Sequence, residues 1–157
     1  MGEKPKPVEA EMVHGLKKSG RSHFGFKLHT KIQRGSKIIE EIAVTTARVF
    51  DGHIDLAKPD EINYRDRGYS GTKTKAKGDA TMKKGKLTIK QKMRNKRISK
   101  KRSEGEHPYG TIKKDFKGGT TKLTTIPRVF VQQVFVGIAY NIHRIRFLLS
   151  ESAKKIV

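Results

Sequence analysis

His23-Phe24-Gly25-Phe26-Lys27-Leu28-His29 sets Phe24, Phe26 and Leu28 on one side of an extended chain and Gly25, Lys27 and His29 on the other. That period of two belongs to a half-buried strand. Arg34-Gly35-Ser36 downstream is turn chemistry, and Lys37–Thr45 supplies a second strand through Ile38, Ile42 and Val44. Together they predict a hairpin over 22–45. Upstream, residues 1–21 are polar and hold Pro5, Pro7 and the Lys17-Lys18 pair, which reads as an entry segment. Beyond the hairpin, Ala47–Lys58 suits a short helix stopped by Pro59. Ile62-Asn63-Tyr64-Arg65-Asp66 reads as a brief strand ending at Asp66, before the loop Arg67-Gly68-Tyr69-Ser70-Gly71.

The second half reads as helical. Ser103 to about Phe116 places Glu104 and Glu106 early and Lys113 and Lys114 late, as the helix dipole favours, and Gly118-Gly119 ends it. Pro127 then opens a long amphipathic helix. Val131, Val134, Phe135, Ile138, Ile142, Ile145 and Leu149 recur at three- and four-residue steps, which predicts one broad apolar face packed into the core. Residues 151–157 form a tail, leaving 22–150 as the single domain.

Charge narrows the partners. The 157 residues carry 36 Lys+Arg against 15 Asp+Glu, a formal charge of +21. A polyanion is the default partner of such a chain, because each cation placed on a phosphate releases condensed counterions. Residues 73–102 concentrate the effect, with 14 Lys or Arg against one acid, Asp79, and read as a basic insertion or linker that contacts nucleic acid. There is no Cys, which excludes disulfides, thiolate zinc sites and cysteine nucleophiles and suits a cytoplasmic setting. The N-terminus lacks the apolar stretch of a signal peptide, and the apolar run Val134–Tyr140 is far too short to span a bilayer, so no membrane role is expected.

Several chemistries fall away. The 6 His, at 14, 23, 29, 53, 107 and 143, include no i, i+4 pair of the kind a helical zinc site uses. Gly68-Tyr69-Ser70-Gly71 is one residue short of a nucleophile elbow, and no phosphate-binding GxxxxGK[ST] loop occurs. Carboxylates in basic surroundings remain: Asp66 within Arg65-Asp66-Arg67, and Glu106 just after the basic run. Acids among cations are more often structural ion pairs than metal ligands. With a third carboxylate, however, two such acids suffice to hold paired magnesium ions for phosphoryl transfer.

Five segments together resemble insertion-sequence transposases of the DDE type. His23–His29 resembles their (Y/F)-G-(Y/F)-K-x-H strand, and Thr45-Thr46-Ala47-Arg48-Val49-Phe50-Asp51 their T-x-A-N-x-x-D segment, with Arg48 in place of Asn. Asp66-Arg67-Gly68-Tyr69-Ser70-Gly71 is similar to D-x-G-Y-x-G, and Arg102–Tyr109 with Lys113 to R-x-x-x-E-(H/R)-P-(F/Y)…K. Ala139-Tyr140-Asn141-Ile142 resembles the closing A-x-N-L helix. The resemblance covers roughly residues 10 to 150, in the family's order.

It implies an α/β fold, a ribonuclease H-like mixed sheet with flanking helices, and DNA cleavage and strand transfer that depend on Mg²⁺ or Mn²⁺. Asp66 and Glu106 would be the second and third metal-binding catalytic acids. Arg102 and Lys113 would contact DNA phosphates, joined by Lys27 of the first strand motif and by Arg97 and Lys101 of the basic run. Two departures stand out. Ser99 occupies the place of a family Tyr, and the residues before Gly25 contain no Asp to serve as the first catalytic acid. The chain therefore reads as the C-terminal portion of a transposase lacking the first strand, inactive alone and a weak, non-specific binder of DNA at transposon ends. Its protein partner would be a second copy or an upstream transposase fragment. The competing readings are a non-catalytic basic protein of ribosomal or RNA-associated type, and a truncated transposase that regulates a complete one.

Overall fold

In a computed structural model the described residues are 15–18 and 21–154, with side chains described from residue 25. Residues 1–14 and 19–20 of the expected entry segment, His14 included, and 155–157 of the expected tail lie outside them. The architecture is mixed α/β. Strands β1 (Gly15–Lys18) and β2 (Arg21–Phe24) pair antiparallel, with Gly15 opposite Phe24. Strands β3 (Phe26–Ile32) and β4 (Ile39–Thr46) form the expected hairpin, Phe26 opposite Thr46 and Ile32 opposite Ile39 across a bulge at Lys31/Ile32. Strands β5 (Ile62–Asn63) and β6 (Gly78–Asp79) pair parallel. The described strands thus pair in twos, as three two-stranded sheets.

Helices α1 (Ile89–Arg102), α2 (His107–Lys114) and α3 (Ile126–Lys154) follow. Helix α1 lies inside the stretch read as an insertion or linker. A capping box starts it: the Thr88 hydroxyl accepts from the Gln91 N–H at 3.3 Å, and the Gln91 side chain accepts from the Thr88 N–H at 3.0 Å. Together these satisfy two N–H groups that a helix start otherwise leaves unpaired. Between Ala47 and Lys58 the short helix is replaced by a single 3-10 turn, Asp51–His53. The reason is Asp55, whose carboxylate accepts from the N–H groups of Ala57 at 3.1 Å and Lys75 at 2.6 Å, so that this backbone turns instead of continuing helically.

The core lies between the β3–β4 hairpin, α2 and α3. Ile39, Ile112 and Tyr140 are its buried centre, with Ile32, Ile42, Phe116 and Val136 around them. Gly137 permits the close approach, since a Cβ there would lie 2.6 Å from Ile42 Cδ1. Helix α3 also fastens the hairpin turn through polar bonds. Asn141 copies the hydrogen-bonding edge of a strand, its Oδ1 accepting from the Ile39 N–H at 2.9 Å and its Nδ2 donating to the Ile39 carbonyl at 2.8 Å. The Tyr140 hydroxyl donates to the Lys37 carbonyl at 2.9 Å, and Arg144 Nε to that of Ser36 at 2.7 Å.

One expectation is overturned. The face of α3 that packs inward is Val129, Gln133, Gly137 and Tyr140, not the stripe running from Val131 to Leu149, which lies outward except for half-buried Val134. The reason is that α3 carries apolar residues on two sides, and the inward side is chosen by the small Gly137 and by the hydrogen bonds of Tyr140, Asn141 and Arg144. Among the described residues no helix is long and apolar enough to cross a membrane.

Candidate nucleic-acid interface

Arg65 organises the loop that presents Asp66. Buried at 6% exposure, it donates from Nε to Thr81 Oγ1 at 2.8 Å, from Nη2 to the Thr72 carbonyl at 3.0 Å and to Asp79 Oδ2 at 3.1 Å, and from Nη1 to Thr72 Oγ1 at 3.2 Å. Its guanidinium also lies 5.5 Å from the centre of the Tyr69 ring. The planar fork of Arg suits such divergent acceptors, which a single ammonium could not reach together. Asp66 itself is exposed and caps the 3-10 turn Arg67–Tyr69, accepting from the Arg67 N–H at 2.6 Å. Burial pushes the Tyr69 hydroxyl above its ordinary value, and the charges of Asp51 and Asp66 push the same way.

The basic stretch is stitched down along α1. Arg94 donates to the Thr81 and Asp79 carbonyls at 2.8 and 3.3 Å, and buried Asn95 bonds both backbone groups of Lys83 at 2.9 Å. With Asn95 and Ile98 turned inward, Lys90, Lys92, Lys96, Arg97, Lys100 and Lys101 are left exposed on a helix that contains no acid. Tyr64 lies between Lys101, whose Nζ is 5.1 Å from the ring centre, and Arg34, whose guanidinium is 5.5 Å from it.

The remaining candidate residues divide. Lys27 and Lys113 line one groove of about 640 Å³ between β3, α2 and the start of α3. Lys27 is held there by the Val49 carbonyl at 2.7 Å and by Asp51 at 2.8 Å. Glu106 precedes α2 and is paired one turn back with Arg102, Nη2 to Oε1 at 2.6 Å. Among the described residues no group of three or more His, Cys, Asp or Glu is gathered so as to hold a metal ion. Asp66 bonds to its neighbour's N–H and Glu106 to Arg102, so the side chains described do not by themselves fit a divalent metal centre.

Sequence reasoning passed over Arg65, Tyr64 and Asn95. In the Arg65-Asp66-Arg67 triplet the buried member is the cation before the carboxylate, which the spacing of charges does not signal. Asn95, the one asparagine within this run of cations, was the available signal that part of the run is anchored.

The loop also sets an acid limit. Burial would raise the Asp79 carboxyl, but the Thr81 hydroxyl and N–H and the Arg65 charge outweigh it and hold the group below its ordinary 3.8. Asp55 is likewise lowered, burial being outweighed by the N–H groups of Lys75 and Ala57. A carboxylate lowered in the folded state contributes stability above its unfolded pKa and loses it as pH falls through the folded one. The melting temperature is therefore expected to hold as pH drops towards 4 and to fall below it, with a shallower fall in Asp79→Asn. Circular dichroism melts across this range check it.

A family model described as transposase DDE domain matches residues 4–142. No curated protein and no solved structure matches. Transposase DDE domains are generally divalent-metal dependent, and their chemistry is the DNA cleavage and transfer of transposition. With a match over most of its length, the chain belongs to the transposase DDE domain family.

Proposed function

We propose that this chain is the DNA-gripping portion of a ribonuclease H-like transposase domain, which binds duplex phosphates through α1 and cleaves little or no DNA alone. The observation that carries the reading is the exposed row of six cations on α1 with no acid among them. Arg97 and Lys101 belong to that row, and Arg102 and Lys113 extend it towards Glu106 and the groove beside Lys27. Charges so placed give affinity without reading bases, so binding is expected to be indifferent to sequence. In this reading Asp66 and Glu106 are two of the three carboxylates of a magnesium or manganese site. Such a site needs a third carboxylate beside them, and Arg102 keeps Glu106 occupied in its absence.

A salt titration of duplex binding tests the first part. Six cations on phosphates give a log–log slope of about −5, a loss of about 10³ in affinity between 50 and 200 mM salt. Arg97→Gln with Lys100→Gln is expected to flatten the slope by about 2. Affinity insensitive to salt would overturn the reading. For the second part, metal-dependent nicking of terminal-repeat DNA by the chain alone, abolished in Asp66→Asn, would show that the third acid is not needed.

A further inference from the structure

The groove between β3, α2 and the start of α3 holds about 640 Å³, within the roughly 300–1,000 Å³ of clefts that enclose a ligand. Phe26, Leu28, Val44 and Leu123 give it apolar walls, and Lys113 lies among them. Gln133 lines it as well and is 6% exposed. Its Nε2 donates to the Gly118 carbonyl at 3.2 Å, while among the described residues its buried Oε1 has no donor. Leaving a buried acceptor unpaired costs stability, so the groove suits an occupant that brings N–H groups together with apolar side chains. A phosphate backbone brings neither. An extended stretch of polypeptide brings both.

We infer that the occupant is the chain's own segment Val8-Glu9-Ala10-Glu11-Met12-Val13, docked in extended form. These residues lie outside the described ones, and pattern, charge and reach fit them to the groove. Val8, Ala10 and Met12 alternate with Glu9 and Glu11, which gives an extended chain one apolar face and one acidic face. The segment holds two acids and no base in a chain of formal charge +21. Lys27 is already engaged by Asp51 and the Val49 carbonyl, which leaves the acids to Lys113. Past Lys113 the chain adds Lys114, Lys117 and Lys122 against Asp115 alone, so the field on this side favours an acidic strand.

Reach follows from β1. That strand runs antiparallel to β2 with Gly15 opposite Phe24, so the chain before Gly15 is delivered next to Gly25 and Phe26, both of which line the groove. Two residues of extended chain, about 7 Å, carry Val13 from Gly15. Docked there, Glu9 and Glu11 occupy Lys113, one of the cations of the phosphate track proposed above. The chain then carries its own competitor for that cation, a consequence that rests on the proposed track, whereas the docking does not.

The chain has no Trp, so Met12→Trp gives the full chain a single fluorescent reporter. Acrylamide is expected to quench it about threefold less than Lys4→Trp, which precedes the segment, because a docked indole is buried. Ala10→Asp in the segment and Leu123→Glu in the groove, at a residue 36% exposed and outside the helices, are each expected to abolish this shielding with unchanged circular dichroism. Dilution from about 50 to about 1 µM should leave the shielding intact, since a tethered segment meets its own groove at an effective concentration near millimolar. Equal quenching at the two Trp positions, or shielding that survives both charged substitutions, overturns the docking. Shielding lost on dilution gives the groove to the segment of a second copy and overturns the occupant named here. Duplex DNA that releases the indole supports the competition for Lys113; an indole still shielded in saturating duplex overturns that competition and leaves the docking standing.

Discussion

Tyr140→Ala is expected to cost about 4 kcal/mol of stability, the range for truncating a fully buried aromatic side chain. The residue is 1% exposed and packs with Ile39 and Ile112 where the hairpin, α2 and α3 meet. Its hydroxyl also holds the Lys37 carbonyl at 2.9 Å, next to the residues bonded by Asn141 and Arg144. Tyr140→Phe separates the two contributions. It keeps the ring and leaves one acceptor short of a donor, for a loss of about 1 kcal/mol. Urea unfolding of the three chains measures both. Equal losses in the two variants would mean that the hydroxyl, not the ring, holds the helix to the hairpin.

Arg65→Met is the second large effect, at about 3 kcal/mol, because it leaves Asp79 without its cation, buried Thr81 Oγ1 without a donor and half-buried acceptors at Thr72 unpaired. The damage is expected to be local. Hydrogen exchange should speed up across residues 64–81, which Arg65 ties together through Thr72, Thr81 and Asp79. The hairpin and α3 should keep their protection, since none of the hydrogen bonds described for them passes through Arg65. Arg65→Lys should rescue little, because one ammonium cannot replace a fork that serves acceptors on both sides. Full protection of 64–81 in Arg65→Met would remove Arg65 as the organiser of the Asp66 loop.

The β3–β4 hairpin was legible because alternation at period two, with turn residues between, is a local signal. Helices α2 and α3 were legible for the same reason, through the order of acids and bases over 103–116, the Gly118-Gly119 stop and the recurrence of apolar residues. What the sequence did not reveal was which side of α3 faces inward. Both sides are apolar, and the choice rests on Gly137 against Ile42 and on Asn141 against Ile39, pairings between positions far apart in the chain. Helix α1 was hidden by its charge, because a helix with only Asn95 and Ile98 buried has almost no apolar period to detect. At the candidate site, Asp66 and Glu106 were visible as residues in motifs. The ion pair of Glu106 with Arg102 fits their four-residue spacing, whereas the fan of bonds from Arg65 depends on a loop path that no spacing encodes.

The bonds from α3 to the hairpin turn join residues 102, 103 and 108 positions apart. Contacts so distant are late events in folding, because the intervening loop must close before they form. At a ribosomal pace of about 5–20 residues per second, the hairpin waits roughly 5–20 s for its covering helix to be made. Through that interval Ile32, Ile39 and Ile42 lack the cover of α3. The nascent chain is therefore a natural client for holding chaperones, and a stalled or truncated message yields a sticky hairpin instead of a smaller folded protein.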